Sequence, residues 1–195
     1  MHRRDFIKKV ILFSLSFVIL KTKIMANTLF KPFNLVDGVF VNNYVSHKSS
    51  FKDFWKWRRE SSKPEPIAFP IIENDPGYLK SNKSEKTITW IGHSTFLLQI
   101  DGINILTDPH FTKRASPLSF MGPSRTTPPG LKIEELPFID FVLISHNHYD
   151  HLDSKTIQLL LKKQNVNQPT FFVPLKLRDI LSKLGARNVL EHEWW

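Results

Sequence analysis

Residues 146–151 read His-Asn-His-Tyr-Asp-His and hold three of the eight histidines in the 195-residue chain. The apolar run Phe141–Ile144 precedes them and predicts a buried strand. Asp153 and Ser154 follow at the position of a helix N-cap, ahead of an amphipathic run. The six residues are therefore predicted to form a turn from a strand to a helix, where α/β proteins commonly place functional side chains.

The residue types in this turn are typical of a metal site. Imidazole and carboxylate are common ligands of zinc and related ions. His146 and His148 lie two positions apart on an extended segment, so they point the same way and can bind one ion. Asp150 and His151 lie further round the turn and can reach a second ion. The alternative, a surface turn rich in histidine by chance, is disfavoured because spacing, strand and helix cap agree.

Motifs on both sides of the turn resemble one branch of a known superfamily. They are Thr89–Phe96 (TWIGHSTF), Ile105–Pro109 (ILTDP), Arg114–Pro117 (RASP), Gly122–Arg125 (GPSR), the turn itself, and Glu191 with Trp194-Trp195. From Lys86 to Trp195 the chain resembles the metallo-β-lactamase superfamily, within it the N-acylphosphatidylethanolamine-hydrolysing phospholipase D branch. The resemblance implies an α/β fold of the αββα sandwich type, of which this chain holds the first half.

The same resemblance implies a metal-dependent hydrolase, in particular a zinc phosphodiesterase acting on N-acylphosphatidylethanolamine-like phospholipids. It assigns two divalent metal ions, expected to be Zn²⁺, to His146, His148, Asp150 and His151. Asp150 is also the expected catalytic residue, because it would orient the nucleophile that attacks phosphorus. The alternatives are a lactonase or general phosphoester hydrolase of the same superfamily, and a non-catalytic fragment that binds metal weakly or not at all.

Other residues are expected around the ligands. Asp108 ends a predicted strand, where a carboxylate can accept a hydrogen bond from a metal-binding histidine; a plain Asp-Pro turn residue is the alternative. His93 is implied to lie beside the ligands without being one, although a lone histidine is more often structural. The long loop 111–137 is expected to border a substrate cleft, with Arg114 or Arg125 available to a phosphate. Surface arginines without that role are the alternative.

The family takes further metal ligands from the second half of its fold, and residues 1–195 offer no counterparts. His192 lies where the resemblance implies no ligand. Each ion would then have two ligands from this chain, whereas a catalytic zinc normally has three. We therefore expect a truncated product or one part of a longer enzyme. Its inner sheet face would lack a partner and favour pairing with another chain, such as a homodimer.

The N-terminal region predicts export. Residues 3–8 (RRDFIK) resemble a twin-arginine motif. Residues 10–20 are an apolar run, shorter than the roughly 20 residues that span a bilayer. Residues 1–26 are therefore predicted to be a signal peptide or, alternatively, a membrane-surface leader. Either places the protein in the periplasm, beyond it or at the membrane of a bacterium. Residues 27–85 would be an extension and 86–195 the partial catalytic domain.

The net charge of +9 is concentrated in that leader. Residues 1–26 contain six basic residues and one acidic residue, which leaves a mild positive excess for the remainder. The charge therefore gives no reason to expect nucleic acid as a partner, and it fits a phospholipid or other phosphoester substrate or an anionic membrane surface. The chain has no cysteine, so any metal is held by histidine and carboxylate ligands.

Local patterns predict the remaining elements. Residues 51–59 place aromatic side chains at helical spacing, which predicts a short helix that packs onto the domain or, less favoured, binds a lipid interface. Asp101-Gly102 predicts a hairpin turn. Strands are expected at 87–90, 95–100, 103–106, 170–173 and 188–190, and a helix at 175–184 closed by Gly185.

Overall fold

The computed structural model describes residues 35–42, 50–62 and 72–193. The predicted leader and the Trp194-Trp195 pair lie outside the described residues. The chain divides into two compact units, Met1–Lys63 and Pro64–Trp195. In the described ranges, no helix has both the length and the apolar character that crossing a bilayer requires.

In residues 35–42 and 50–62, the described part of the first unit, the chain forms a small hairpin and one helix. Strands β1 (Leu35–Val36) and β2 (Val39–Phe40) pair antiparallel. Helix α1 (Phe51–Glu60) begins where predicted, because the side chain of Ser50 caps the Asp53 amide and the Asp53 carboxylate caps the Ser50 amide. The aromatic side chains of α1 are 48–76% exposed.

The second unit is built on a mixed six-stranded sheet. In chain order its elements are α2 (Pro76–Ser81), β3 (Thr87–Gly92), β4 (Thr95–Ile100), β5 (Ile103–Thr107), a 3₁₀ turn (Ile133–Glu135), β6 (Phe141–Leu143), α3 (Ser154–Lys163), β7 (Thr170–Pro174), α4 (Arg178–Lys183) and β8 (Val189–His192). The strands lie in the order β3-β4-β5-β6-β7-β8. The first three are antiparallel, and β5 to β8 are parallel.

The sheet has one buried and one exposed face. Residues paired across neighbouring strands point to the same side, so the register assigns each side chain to a face. The buried face carries Leu97, Leu106, Val142, Phe171, Val173 and Val189, each at most 5% exposed. Side chains of α2, α3 and α4 complete this core. The opposite face carries Ile88, Trp90, Leu143 and Leu190, which are 40–73% exposed.

The helix ends follow from local sequence, with one correction. Asp153 caps α3 as predicted, and Gly185 (φ 104°) ends α4 with the Gly185 amide bonded to Ser182 and the Ala186 amide to Leu181. The predicted helix over 175–184 is too long, since α4 begins only at Arg178. Lys176 adopts a left-handed conformation (φ 73°), which a right-handed helix cannot contain.

Candidate metal centre

The candidate site lies at one edge of the sheet, where three strands end. Strands β3, β5 and β6 run in the same direction, so their carboxyl ends meet there. His93 follows β3, Asp108 follows β5, and the 146–151 turn follows β6. The Asp108 amide donates to the Leu143 carbonyl (2.8 Å) and so links the ends of β5 and β6. The topology thus brings together residues that are up to about sixty positions apart in sequence.

Three side chains form the tightest cluster. One ligand atom from each of His93, Asp150 and His151 lies within 4.8 Å of the other two, a spacing that suits one metal ion. His93 Nε2 is 2.9 Å from Asp150 Oδ2, and His151 Nε2 is 3.5 Å from the same oxygen. The sequence predicted His93 beside the ligands; the structure places it in direct contact with Asp150.

The other two predicted ligands lie against this cluster. His146 Nε2 and His148 Nδ1 are 3.0 Å apart, as two nitrogens aimed at one point would be. The His146 ring centroid is 4.0 Å from that of His151. The turn is closed by the His148 carbonyl, which accepts from the amides of His151 (3.0 Å) and Leu152 (2.8 Å). All four predicted metal ligands therefore converge, and the pairs assigned to separate ions are adjacent.

Asp108 and Ser145 hold His151 in place. Asp108 Oδ2 is 2.9 Å from His151 Nδ1, and the Asp108 carboxylate also accepts from the Ser145 amide (2.7 Å) and hydroxyl (2.8 Å). If Nδ1 donates to this carboxylate, Nε2 keeps its lone pair for a metal ion. Asp108 has a positive φ of 35°, which is costly outside glycine and concentrates at functional sites.

The electrostatic environment favours the protonation states that bind metal. Burial lowers the pKa of His146, and the neighbouring His151 and His148 rings lower it further. Burial alone would raise the pKa of Asp150, but a backbone hydrogen bond and the His151 and His93 rings outweigh it, so the pKa is lowered. Metal ligands must be neutral imidazole and ionised carboxylate. The donor set, all nitrogen and carboxylate oxygen, fits zinc, iron or manganese.

A cavity of about 890 Å³ opens beside the cluster. Its lining includes His93, His148, Tyr149 and Asp150 on the metal side, and Trp90, His110, Arg125 and Thr126 on the other. The sequence offered Arg114 or Arg125 as a group that could bind phosphate, and Arg125 is the one that lines this cavity. Arg114 does not line it; its Nη1 donates instead to the Gly122 carbonyl (2.6 Å).

Several residues at the site were not singled out from sequence. Ser145 directly precedes the motif, but a lone serine carries no spacing signal. His110 is buried and contacts Arg125 across fifteen positions. Gly92 precedes His93 and packs against the Arg125 guanidinium. Only the left-handed tendency of glycine could have drawn attention to Gly92, and the contacts of Ser145 and His110 depend on tertiary structure.

Comparison with known proteins now identifies the family. The beta-lactamase superfamily domain model matches residues 87–190, more than half of the chain, so the chain belongs to that superfamily. This confirms the predicted superfamily, and the mixed sheet with its helices confirms the predicted fold class.

Individual relatives cover only part of their own length. An uncharacterized protein of Mycobacterium tuberculosis (strain ATCC 25618 / H37Rv) is 39% identical over 169 residues, which is 83% of this chain and 44% of that protein. N-acyl-phosphatidylethanolamine-hydrolyzing phospholipase D 1 of Caenorhabditis elegans is 41% identical over 112 residues, 54% of this chain and 31% of the enzyme. The chain thus spans less than half the length of these curated relatives. A solved isothiocyanate hydrolase from Delia radicum gut bacteria aligns with a TM-score of 0.43 at 22% identity, covering 54% of this chain and 41% of that one.

Proposed function

We propose that this chain carries the metal-binding turn of a metal-dependent hydrolase, specifically a phosphodiesterase of phospholipase D type. The observation that carries the proposal is the convergence of His93, Asp150 and His151 beside His146 and His148. The similarity to the nematode phospholipase D supports the substrate class, an N-acylphosphatidylethanolamine-like phospholipid. The cavity next to the cluster offers a place for the head group.

His146 and His148 would hold one divalent ion, and Asp150 and His151 the other, with Zn²⁺ as the expected metal. Such ions activate water and neutralise charge that develops on phosphate oxygens. The chain's own residues keep the ligands in position: Asp108 fixes the His151 ring, and His93 fixes the Asp150 carboxylate. Asp150 would also accept a hydrogen bond from the attacking nucleophile and so orient it towards phosphorus.

The proposed reaction is hydrolysis of one phosphodiester bond. A water oxygen forms a bond to phosphorus, and the bond from phosphorus to the N-acylethanolamine oxygen breaks. The leaving oxygen takes up a proton, so the products are phosphatidic acid and N-acylethanolamine. No oxidant or further co-reactant is needed.

Lipid mass spectrometry tests this proposal. The full chain, supplied with zinc, is incubated with N-acylphosphatidylethanolamine in detergent micelles. We expect equal amounts of phosphatidic acid and N-acylethanolamine, lost in Asp150→Asn and retained in His192→Ala, a histidine outside the cluster. A protein that holds zinc but yields neither product contradicts the phospholipase assignment. Hydrolysis of a lactone by that same sample would favour a lactonase of the superfamily.

A further inference from the structure

Arg125 presents a half-buried cation to the cavity without a carboxylate in contact. Its Nε donates to the Thr112 carbonyl (3.4 Å), and its Nη2 contacts both the carbonyl and the ring of His110. No salt bridge to Arg125 exists within residues 35–42, 50–62 and 72–193. Charged side chains are rarely buried without a partner. Arg125 is not part of a structural ion pair among these residues, and its charge faces the cavity, where it is available to an anion.

The nearby carboxylate of Asp153 does not neutralise Arg125 by direct contact. Asp153 attracts the guanidinium electrostatically. Its oxygens, however, are used by the α3 cap: they accept from the amides of Lys155 and Thr156, the Thr156 hydroxyl and the Thr112 amide. Burial lowers the pKa of Arg125, and the Asp153 charge partly opposes this shift without occupying the hydrogen-bond donors of the guanidinium.

His110 fixes one edge of the guanidinium. A guanidinium can only donate, so the Nδ1 of His110, 3.2 Å from Arg125 Nη2, must be the acceptor. The imidazole is then neutral and carries its proton on Nε2. Nε2 is buried and has no hydrogen-bond partner among the described residues. Both ring and backbone of His110 therefore serve to orient Arg125, and they occupy Nη2.

The other edge of the guanidinium lies against the end of β3. A Cβ built on Gly92 would approach Arg125 Nη1 to 2.8 Å, closer than a real side chain tolerates, and Gly92 has a φ of +144°. Nη1 makes no hydrogen bond in the described part of the chain. Because Gly92 immediately precedes His93, this free edge lies close to the metal cluster and in the same cavity.

We propose that Arg125 binds a phosphate oxygen of the ligand through Nη1, and that Gly92 and His110 position it for this role. Guanidinium matches phosphate in charge and in geometry, and hydrogen bonds between charged groups are the stronger ones. The choice of a phosphodiester as the bound anion rests on the proposed function. This binding role also distinguishes the two arginines of the loop, since Arg114 points its guanidinium to a backbone carbonyl outside the cavity.

Phosphate binding without turnover tests the inference. The full ¹⁵N-labelled chain is treated with EDTA and titrated with glycerophosphoethanolamine, which represents a lipid head group, and separately with inorganic phosphate. The side-chain Nε–H resonance of Arg125 and the backbone amides report binding by NMR. The variants are Arg125→Gln, Arg125→Lys and Gly92→Ala. Lys113→Gln is the matched control, because it removes one positive charge from the same loop at an exposed position outside the cavity.

We expect Arg125→Gln to weaken phosphate binding about tenfold or more, as loss of a charge-assisted hydrogen bond does. Arg125→Lys keeps the charge but not the planar fork, so it should weaken binding less. Gly92→Ala should weaken binding less than Arg125→Gln, because the added methyl shifts the flexible end of Arg125 without removing its charge. Lys113→Gln should stay within about twofold of wild type, as a surface charge does. Tighter binding of the diester than of inorganic phosphate would identify the head group as the source of the anion.

Wild-type affinity in Arg125→Gln, or equal losses in Arg125→Gln and Lys113→Gln, would overturn the inference. So would the absence of binding to wild-type protein. If Arg125→Gln does not fold, Arg125→Lys decides the question, and wild-type affinity in that variant would overturn the inference. A chain that binds phosphate through Arg125 but hydrolyses no phospholipid would contradict the proposed function alone. A chain that hydrolyses phospholipid with phosphate binding independent of Arg125 would contradict this inference alone.

Discussion

At the scale of single residues, Asp108 connects the strand ends to the proposed ligands. Its carboxylate accepts a hydrogen bond from Ser145 and lies 2.9 Å from His151 Nδ1. Its backbone is left-handed, and its amide donates to the Leu143 carbonyl of β6. A carboxylate in this position orients a ligating ring and raises its basicity.

We expect Asp108→Asn to weaken zinc binding by about 10- to 100-fold, the usual effect of losing such a partner. The amide keeps the shape but lacks the negative charge that favours the correct His151 tautomer. Competition with a chelating dye measures the affinity. Asp179→Asn, an exposed acid in the first turn of α4, controls for the change in charge. Equal zinc affinity in wild type and Asp108→Asn would contradict this role.

His110 makes stability depend on pH. Burial, and secondly the Arg125 charge, lower the pKa of His110 below its usual value near 6.5. Between that value and the lowered pKa the unfolded chain binds more protons than the folded chain, so the free energy of unfolding falls as pH falls. The contribution is fully present above about pH 6.5 and is lost progressively below it.

We therefore expect EDTA-treated wild-type protein to lose stability between pH 7.5 and 5.5, and His110→Gln to lose less. Urea unfolding at both pH values measures the difference. His192→Gln, at an exposed histidine, should keep the wild-type dependence. If His110→Gln and wild type lose stability in parallel, the buried neutral His110 is not the cause.

The convergence of the predicted ligands in the turn could be anticipated from sequence because these residues are close together in the chain. His146, His148, Asp150 and His151 lie within six residues, so strand and turn geometry already bring them to one place. The contacts of Arg125 with His110 and Gly92 span 15 and 33 positions and depend on how loop 111–137 folds back. Spacing carries no information about such contacts, which is why Arg114 and Arg125 could not be distinguished.

At the scale of elements, α3 fastens the long loop to the site. The Asp153 side chain caps the helix through the Lys155 and Thr156 amides, and it also accepts from the Thr156 hydroxyl and the Thr112 amide. The Phe111 amide donates to the Thr156 hydroxyl. The N-terminus of α3 thus fixes the start of the loop that carries Arg125.

We expect Asp153→Ala to destabilise the protein by about 2–3 kcal/mol, more than the roughly 1 kcal/mol of an ordinary N-cap, because buried donors also lose their acceptor. Urea denaturation of the EDTA-treated chain measures this. Lys155→Ala, an exposed change in the same helix, should shift stability by no more than about 0.5 kcal/mol. A loss of 1 kcal/mol or less in Asp153→Ala would mean that the loop contacts contribute nothing.

Most strands of the second unit were predictable from sequence, but the β1–β2 hairpin and helix α2 were not, since the prolines up to Pro76 favour an extended connector, and helix α4 was predicted too long. The strands follow from alternating or continuous apolar runs, and Ser50, Asp153 and Gly185 mark helix ends through their own side chains or conformation. Helix α4 begins only at Arg178 because Lys176 adopts a left-handed conformation. No propensity of lysine predicts it.

At the scale of the whole molecule, the second unit leaves one sheet face open. Ile88, Trp90, Leu143 and Leu190 lie on the face opposite the helices and are well exposed. An apolar surface of this kind gains free energy when covered, at about 25 cal/mol per Å².

We expect the purified chain to self-associate through this face. Sedimentation velocity over a range of concentrations should show a concentration-dependent increase in mass. The double variant Ile88→Lys/Leu190→Lys should reduce the association. Val166→Lys, which charges an 85% exposed residue outside the sheet, should not. A chain that remains monomeric at every concentration would exclude a homodimer built on this face.

Metal stoichiometry shows directly whether residues 146–151 form a metal centre. Inductively coupled plasma mass spectrometry of zinc-supplied protein, with an intact mass from the same sample, gives the number of ions per chain. We expect zinc to be bound by wild type and His192→Ala and lost from His148→Ala and Asp150→Asn. A folded wild-type chain of the correct mass that holds no zinc, iron or manganese would contradict this expectation.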